Sequence, residues 1–444
     1  RRQRQMCIRD SDGSYRLEWA QPFQQFTQGS GYKSFDYYSA GVNVLLDKFL
    51  PRRDWLNQLK WRGSWSVVGN PIPNTLFARQ SIDFGTGVVG TRPPLFDDPQ
   101  PETTTSFETG FDVWMFENKF NFDLTYYNST LRNQFLYITT ANGESKPVNT
   151  GVIRNYGLEF QAAYRWNINK DWRWQTGFNI AWNDNRILET YKTESGAPYE
   201  VQMGPNAFKI KYVEGGRYGD IYVNSFARDE NGYIKINDAG NYENAVPVMA
   251  SGKYETKVGN MTSPVTLGWN NTFTWKNFNL YFLIDGRIGG KVMSLTEADL
   301  DLYGLSERSA QDRLNGERVI QNGKEYVLKE LPDGSGHKVS VENYYSTIGA
   351  LPMEDHVYNA TSLRMRDISL SYDMPNLFGK SQGMTVQFSV KNAFFIYKDS
   401  PVDPDISVSA ANGYSGIDCY SLPTTRSFAC LLYTSPSPRD GATS

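Results

Sequence analysis

The residues able to do chemistry are few, and their spacing argues against catalysis. Glu102, Glu108 and Asp112 crowd one segment, and paired carboxylates are the tools of glycoside hydrolysis. Glu108 and Asp112 stand four residues apart, which on a strand is roughly 13 Å along one face. That is too far for either separation such hydrolysis uses, so they read as charges lining a polar wall. The two histidines, His337 and His356, fall in polar, loop-like stretches. Neither a histidine metal site nor a Ser-His-Asp arrangement is supported. Cys7, Cys419 and Cys430 have no zinc-ligand spacing and no disulfide framework. Asp399, Asp403 and Asp405 have the oxygen character of calcium ligands but not their spacing, so a turn held by Asp and Pro is expected. No catalytic residue, metal or cofactor is expected, and the chain does not read as an enzyme.

Two further groups are candidates for contact with a substrate or a covering partner. Asp285 and Arg287, followed by Gly289 and Gly290, read either as a functional element at an outer rim or as a structural Asp–Arg pair. Tyr344 and Tyr345 would either stack on a sugar ring or a lid, or pack locally within a loop.

The elements that position these residues are strands. Period-2 alternation recurs over about ten residues, the length of a tilted bilayer crossing. Trp172, Trp174, Phe178, Ile180 and Trp182 share one face, opposite Arg173, Gln175, Gly177, Asn179 and Asn183. Phe120, Phe122, Leu124 and Tyr126 oppose Asn121, Asp123 and Thr125; Leu158, Phe160, Tyr164 and Trp166 oppose Glu159, Gln161 and Arg165. The spacing predicts that Asn121, Asp123, Gln161, Arg165, Gln175 and Asn179 line a lumen. Only 39% of residues are hydrophobic while 14% are aromatic, which suits a wall one side chain thick with rings at two lipid–water boundaries. There is no run of about 18 apolar residues that would make a transmembrane helix, and the net charge of -3 gives nucleic acid no basic surface.

Connections sort by length. Glu117 to Lys119, Asn167 to Asp171, and Lys276 with Asn277 are short; Asp47 to Gln58 and Pro375 to Gly383 are somewhat longer. The other side carries long segments near 70–103, 139–150, 188–262, 291–356 and 398–420. Short periplasmic turns and long outer loops are the outer-membrane arrangement. The predicted fold is all-β: part of an antiparallel transmembrane β-barrel with about twelve strands, the last starting near Ser421. The segment Leu363 to Tyr372 breaks parity. Either a bulge near Asp367 restores it, or Arg364 and Arg366 face anionic headgroups; the second reading is adopted here.

The ends differ from the rest. Residues 1–10 and 430–444 lack period and turn chemistry and resemble translated sequencing adapter, with an ordinary disordered tail as the other reading. The barrel portion is therefore expected over 11–429. No signal peptide precedes it, so an upstream part is expected.

Several stretches together resemble the SusC-like (RagA-like) TonB-dependent transporters. Ser64-Trp65-Ser66-Val67-Val68-Gly69-Asn70 is similar to that family's S-Y-G-x-V-G-N segment, and Val152-Ile153-Arg154-Asn155-Tyr156-Gly157-Leu158-Glu159 to its R-N-x-G-x-E strand entry. Asp285-Gly286-Arg287-Ile288-Gly289-Gly290-Lys291 resembles D-x-R-x-G-G, and Tyr358 to Tyr372 is similar to A-S-F-L-R-L-R-x-I-x-L-x-Y. Asn392-Ala393-Phe394, then Asp403-Pro404-Asp405, resembles N-L-F … D-P-E, and Pro423 to Phe428 resembles the final strand. The resemblance implies the C-terminal part of a 22-stranded, plugged barrel, with about ten strands upstream. It implies import of oligosaccharide or peptide across the outer membrane, driven by the TonB complex and capped by a SusD-like surface lipoprotein. Its remaining partner would be outer-membrane lipid. A passive porin-like barrel and a secreted β-sandwich glycan-binding protein are the competing expectations.

Overall fold

The computed structural model describes residues 9–19, 34–70, 80–82, 89–91, 100–139, 145–193, 196, 199–203, 208–252, 254–350, 353–374, 383–407 and 416–434. Cys7 and most of the 70–103 connection lie outside them. Twelve strands form one continuous sheet: β1 (Arg9–Trp19), β2 (Ser34–Leu45), β3 (Leu56–Asn70), β4 (Glu102–Met115), β5 (Phe120–Arg132), β6 (Val152–Asn167), β7 (Trp172–Glu189), β8 (Val265–Trp275), β9 (Phe278–Ile288), β10 (Ser362–Met374), β11 (Met384–Lys398) and β12 (Ser427–Thr434). Each pairs antiparallel with the next in sequence, and the sheet is open, with β1 and β12 at its edges. A sandwich would split these strands between two facing sheets; this single meander sets that alternative aside.

Register puts the apolar sets on one face. Leu158, Phe160 and Ala162 of β6 stand opposite Trp182, Ile180 and Phe178 of β7, which stand opposite Val265, Leu267 and Trp269 of β8. Large apolar side chains on this face stay uncovered, from Phe178 at 37% exposure to Phe388 at 50%. Water would penalise such a surface and hydrocarbon would not. At the short-turn end the rings join into a rim. Trp172 and Trp275 stack at 5.6 Å, Trp275 and Phe278 at 5.8 Å, and Phe278 meets Tyr372 at 4.5 Å. The turns are tight: Lys276 with Asn277 joins β8 to β9, and Lys276 has a φ of 51°.

On the polar face, small residues let long arms cross strands. Arg62 on β3 reaches Asp123 on β5, with one contact at 2.8 Å, by passing over Gly110 of β4. A Cβ at Gly110 would sit 2.7 Å from the Leu124 carbonyl oxygen and 3.1 Å from the Arg62 guanidinium. Tyr127 likewise meets Asn183 above Gly157.

Two expectations need correction. The parity break is a bulge: Leu283 pairs with Asp367 and Ile284 with Met365, leaving Arg366 as the extra residue. Arg364 and Arg366 therefore face the polar side rather than lipid headgroups, because carboxylates there compensate their charge. The last strand begins at Ser427, not near Ser421. Pro423 has no N–H to give a ladder, and Thr424 is held by Asp403. At the two ends of the sheet, Arg9 lies opposite Val44, and Cys430 to Thr434 lie opposite Phe388 to Met384.

Replacing Gly110 with Leu should displace Arg62 from Asp123 and destabilise the full-length barrel by about 1–3 kcal/mol, the usual cost of overpacking. Urea unfolding in lipid vesicles measures it; an unchanged midpoint would show that the crossing contributes nothing.

Candidate functional site

Residues that are far apart in sequence meet at the long-loop end of β9 and β10. Alternation puts Asp285 and Arg287 on the polar face of β9, and the bulge turns Arg366 the same way beside Arg364. The connection after β11 brings in Asp403 and Asp405. Arg364 contacts Asp403 at 2.5 Å and Asp405 at 3.1 Å, and its guanidinium lies 3.9 Å from the centre of the Phe395 ring. Arg366 contacts Asp285 at 2.5 Å and Asp405 at 2.8 Å. Arg287 pairs with Asp405 and donates to the Pro404 carbonyl at 3.3 Å. Asp285 and Arg287 are thus not each other's partners, as the structural reading of the motif supposed; each is held by a different element. The three arginines and three aspartates balance, and the Arg364–Asp403 pair is buried at 4% and 5%. Among the described residues no group of three or more His, Cys, Asp or Glu is placed to hold a metal.

Above this cluster the long loops fold. The 190–264 connection forms a sheet from Val201–Met203, Phe208–Tyr212, Asp220–Val223 and Thr256–Asn260. The 289–361 connection carries α1 (Leu295–Leu302), α2 (Glu307–Asn315) and α3 (Val341–Ala350). Ser294 caps α1 by accepting from the Glu297 N–H, and Ser306 caps α2 by accepting from that of Ser309. Two apolar cores lock the loops together. Phe208, Ile210, Ile221 and Val223 pack with Met293, Ala298 and Ile417, so three connections share one core. Phe226, Ile234 and Ala245 pack with Leu331, Val339 and Ile348.

Tyr344 and Tyr345 belong to that second core, each 3% exposed. Their hydroxyls donate to Asp355 at 2.7 Å and Asp312 at 2.6 Å. Lys329 lies 5.0 and 5.5 Å from their ring centres. They form the back of a cleft of about 700 Å³ whose lining includes Glu297, Arg308, Gln311 and Pro332. Burial pushes both phenols well above their ordinary range. Their ring faces are occupied by cations rather than presented, as local loop packing would have them.

Beside the cleft lies a cluster that residue spacing does not reveal. Asp301 is fully buried and accepts from Ser306 at 2.5 Å, from His356 at 2.7 Å and from Arg308. Burial alone would raise its pKa, but these donors together hold it below the usual carboxylate range. His356 sits in a polar stretch of sequence yet has no exposed surface. Burial also works to raise Asp403, and Thr424, the Asp405 N–H and Arg364 outweigh it, leaving that carboxylate low as well.

The six wall candidates share the polar face by register. Gln161 stands opposite Asp123 and Asn179, Arg165 opposite Gln175, and Asn121 opposite Ala163. Asn121, Gln161, Arg165, Gln175 and Asn179 border one groove of about 420 Å³, while Asp123 is engaged by Arg62.

Two outcomes follow. Asp301 and Asp403 have lowered folded-state pKa values, so their contribution is present above the unfolded pKa near ~4 and is lost as pH falls below it. Limited proteolysis of the full-length protein should cut the 289–361 and 399–426 connections below about pH 4 while the barrel wall persists; cleavage that does not change with pH would contradict this. Arg364→Met leaves Asp403 buried without its cation, a loss of about 3–5 kcal/mol. The 399–426 connection should then be cut at neutral pH, and equal resistance to wild type would refute the clamp.

The family model described as TonB dependent receptor-like, beta-barrel matches residues 12–281. TonB-dependent receptor P3 of Formosa agariphila is 23% identical over 447 residues, covering 92% of this chain and 42% of the relative. TonB-dependent receptor SusC of Bacteroides thetaiotaomicron is 23% identical over 440 residues, covering 91% and 40%. The chain thus spans about two fifths of the length of these curated relatives. A solved structure of the RagAB peptide transporter superposes with a TM-score of 0.68 at 18% identity, covering 96% of this chain and 46% of that one. The alternating wall, the sorted connections and the family match over more than half of the chain agree: this is an outer-membrane β-barrel chain of the TonB-dependent receptor family, similar within it to SusC and RagA.

Proposed function

We propose that this chain is the loop-bearing part of the wall of an active importer, which takes oligosaccharide or peptide across the outer membrane. The observation that carries the proposal is the pair of apolar cores that fold the long connections into a shaped unit over one end of the wall. A passive pore has no use for such a unit. A vestibule that holds a bulky substrate does, because recognition needs groups fixed before binding. A SusD-like lipoprotein would cover the vestibule, and the TonB complex would act through a plug encoded upstream. Substrate binds, the lid closes and the plug rearranges; no bond is made or broken by this chain. Within this scheme Asp285 and Arg287 serve through the ionic clamp. Tyr344 and Tyr345 back a cleft whose rim meets substrate or lid. Asn121, Asp123, Gln161, Arg165, Gln175 and Asn179 give the lumen a polar lining.

The test is deletion of the full-length gene in its host, with growth measured on oligosaccharide or on peptide as sole carbon source. Loss of growth on one class, reproduced by loss of TonB, is the expected result and names the substrate. Uptake that continues without TonB would sink active import in favour of a passive barrel. Affinity purification of the full-length protein should bring down a surface lipoprotein.

A further inference from the structure

The lipid-side face of the sheet is not filled evenly. An almost wholly apolar groove of about 470 Å³ crosses it, from Phe120 on β5 to Leu363 on β10. Six strands spaced ~4.8 Å apart give it a reach of about 24 Å. Register explains the trough. Ala162 lies between Phe122 and Phe178, and Thr176 has Tyr164 on one side. Small side chains on adjacent strands thus form a floor between large neighbours. Tyr164, Phe178, Trp269 and Ile284 rise as its walls.

Two polar side chains of its lining, Trp269 and Thr176, already bond to each other and to the backbone. Trp269 Nε1 donates to Thr176 Oγ1 at 2.9 Å, and that hydroxyl donates to the Asn270 carbonyl at 3.3 Å. The lining offers a headgroup or a sugar little beyond the Tyr164 hydroxyl, whereas hydrocarbon would gain contacts that an unfilled trough forfeits. Leu280 shares the face of Ile284 on β9, and both Leu280 and Phe388 are uncovered apolar side chains of the same wall.

We infer that this groove holds one acyl chain of an outer-membrane lipid as a fixed part of the wall, distinct from the exchanging lipid around it. The site selects the chain, not the headgroup. Its role is to complete the packing over β6 and β7, where Ala162 and Thr176 are too small.

The full-length protein, with its upstream sequence, is placed in nanodiscs of palmitoyl-oleoyl phosphatidylethanolamine, transferred to detergent and weighed by native mass spectrometry. Wild type should keep one lipid per copy. Ala162→Phe, which fills the trough without adding polarity, should lower the retained fraction at least ~10-fold, about 1.4 kcal/mol of binding. Leu370→Phe, on the same face but outside the groove, should not. Equal retention in Ala162→Phe, or complete loss of lipid from wild type, overturns the inference. So does a lipid-free dimer that Ala162→Phe dissociates, which would assign the groove to a second copy. If Ala162→Phe does not give the heat-modifiable gel shift of a folded barrel, Thr176→Leu fills the same floor and is scored identically. Retention is read without transport, so its failure leaves the importer proposal standing, and the reverse holds too.

Discussion

Hydrocarbon offers the backbone no hydrogen-bond partner, and each unsatisfied N–H or C=O there costs several kcal/mol. Everything else in this structure follows from meeting that demand with a ladder. Each strand pairs with its sequence neighbours from β1 to β12, so no crossover is needed and the connections can sort cleanly into turns and loops. Once the ladder is fixed, side-chain parity is fixed with it. One set of residues meets lipid and the other meets water, and a single extra residue reverses the two.

The bulge at Arg366 is where that rule is used. Without the extra residue, either the apolar run Ile368, Leu370 and Tyr372 or the pair Leu363 and Met365 would face the wrong side. With it, both sets meet lipid, and Arg366 joins Arg364 on the polar face. The arginines then need anions. Asp285 comes from the neighbouring strand, and Asp403 and Asp405 from a loop that must approach to supply them. The ladder's register thus dictates the position of the 399–426 connection.

That connection carries the constraint outward. Ile417 and Asp418 pair in parallel with Met293 and Ser294, and Ile417 enters the core built by the other two loops. Tyr420 binds Thr296 and Asp299 of the first helix. The outer unit is therefore bolted to the wall through charge at its base and held together by apolar packing above. The two interactions suit their places. The ionic clamp lies at the watery mouth, where the lipid outside offers no competing hydrophobic drive. The cores lie in water, where apolar burial does the stabilising.

Alternation over ten or so residues and the sorting of short from long connections determined the wall from the sequence alone. Period and turn length are local properties, and a one-layer wall has no distant packing to override them. The polar-face assignment of Gln161 or Asn179 followed from the same parity. The tertiary structure decided what parity could not. It chose the bulge over the headgroup-facing arginines, because the choice depended on Asp403 and Asp405 lying within reach. It gave Asp285 and Arg287 partners from other elements, buried Tyr344 and Tyr345, and gathered Asp301, Arg308 and His356 into one cluster. It also carried the last strand through Thr434, where the backbone pairs with β11 as far as Met384. Loop residues have no period, and their environment is set by contacts more than a hundred positions apart, as between Arg287 and Asp405. Such contacts exist only once the ladder has brought the loops to the same end of the wall.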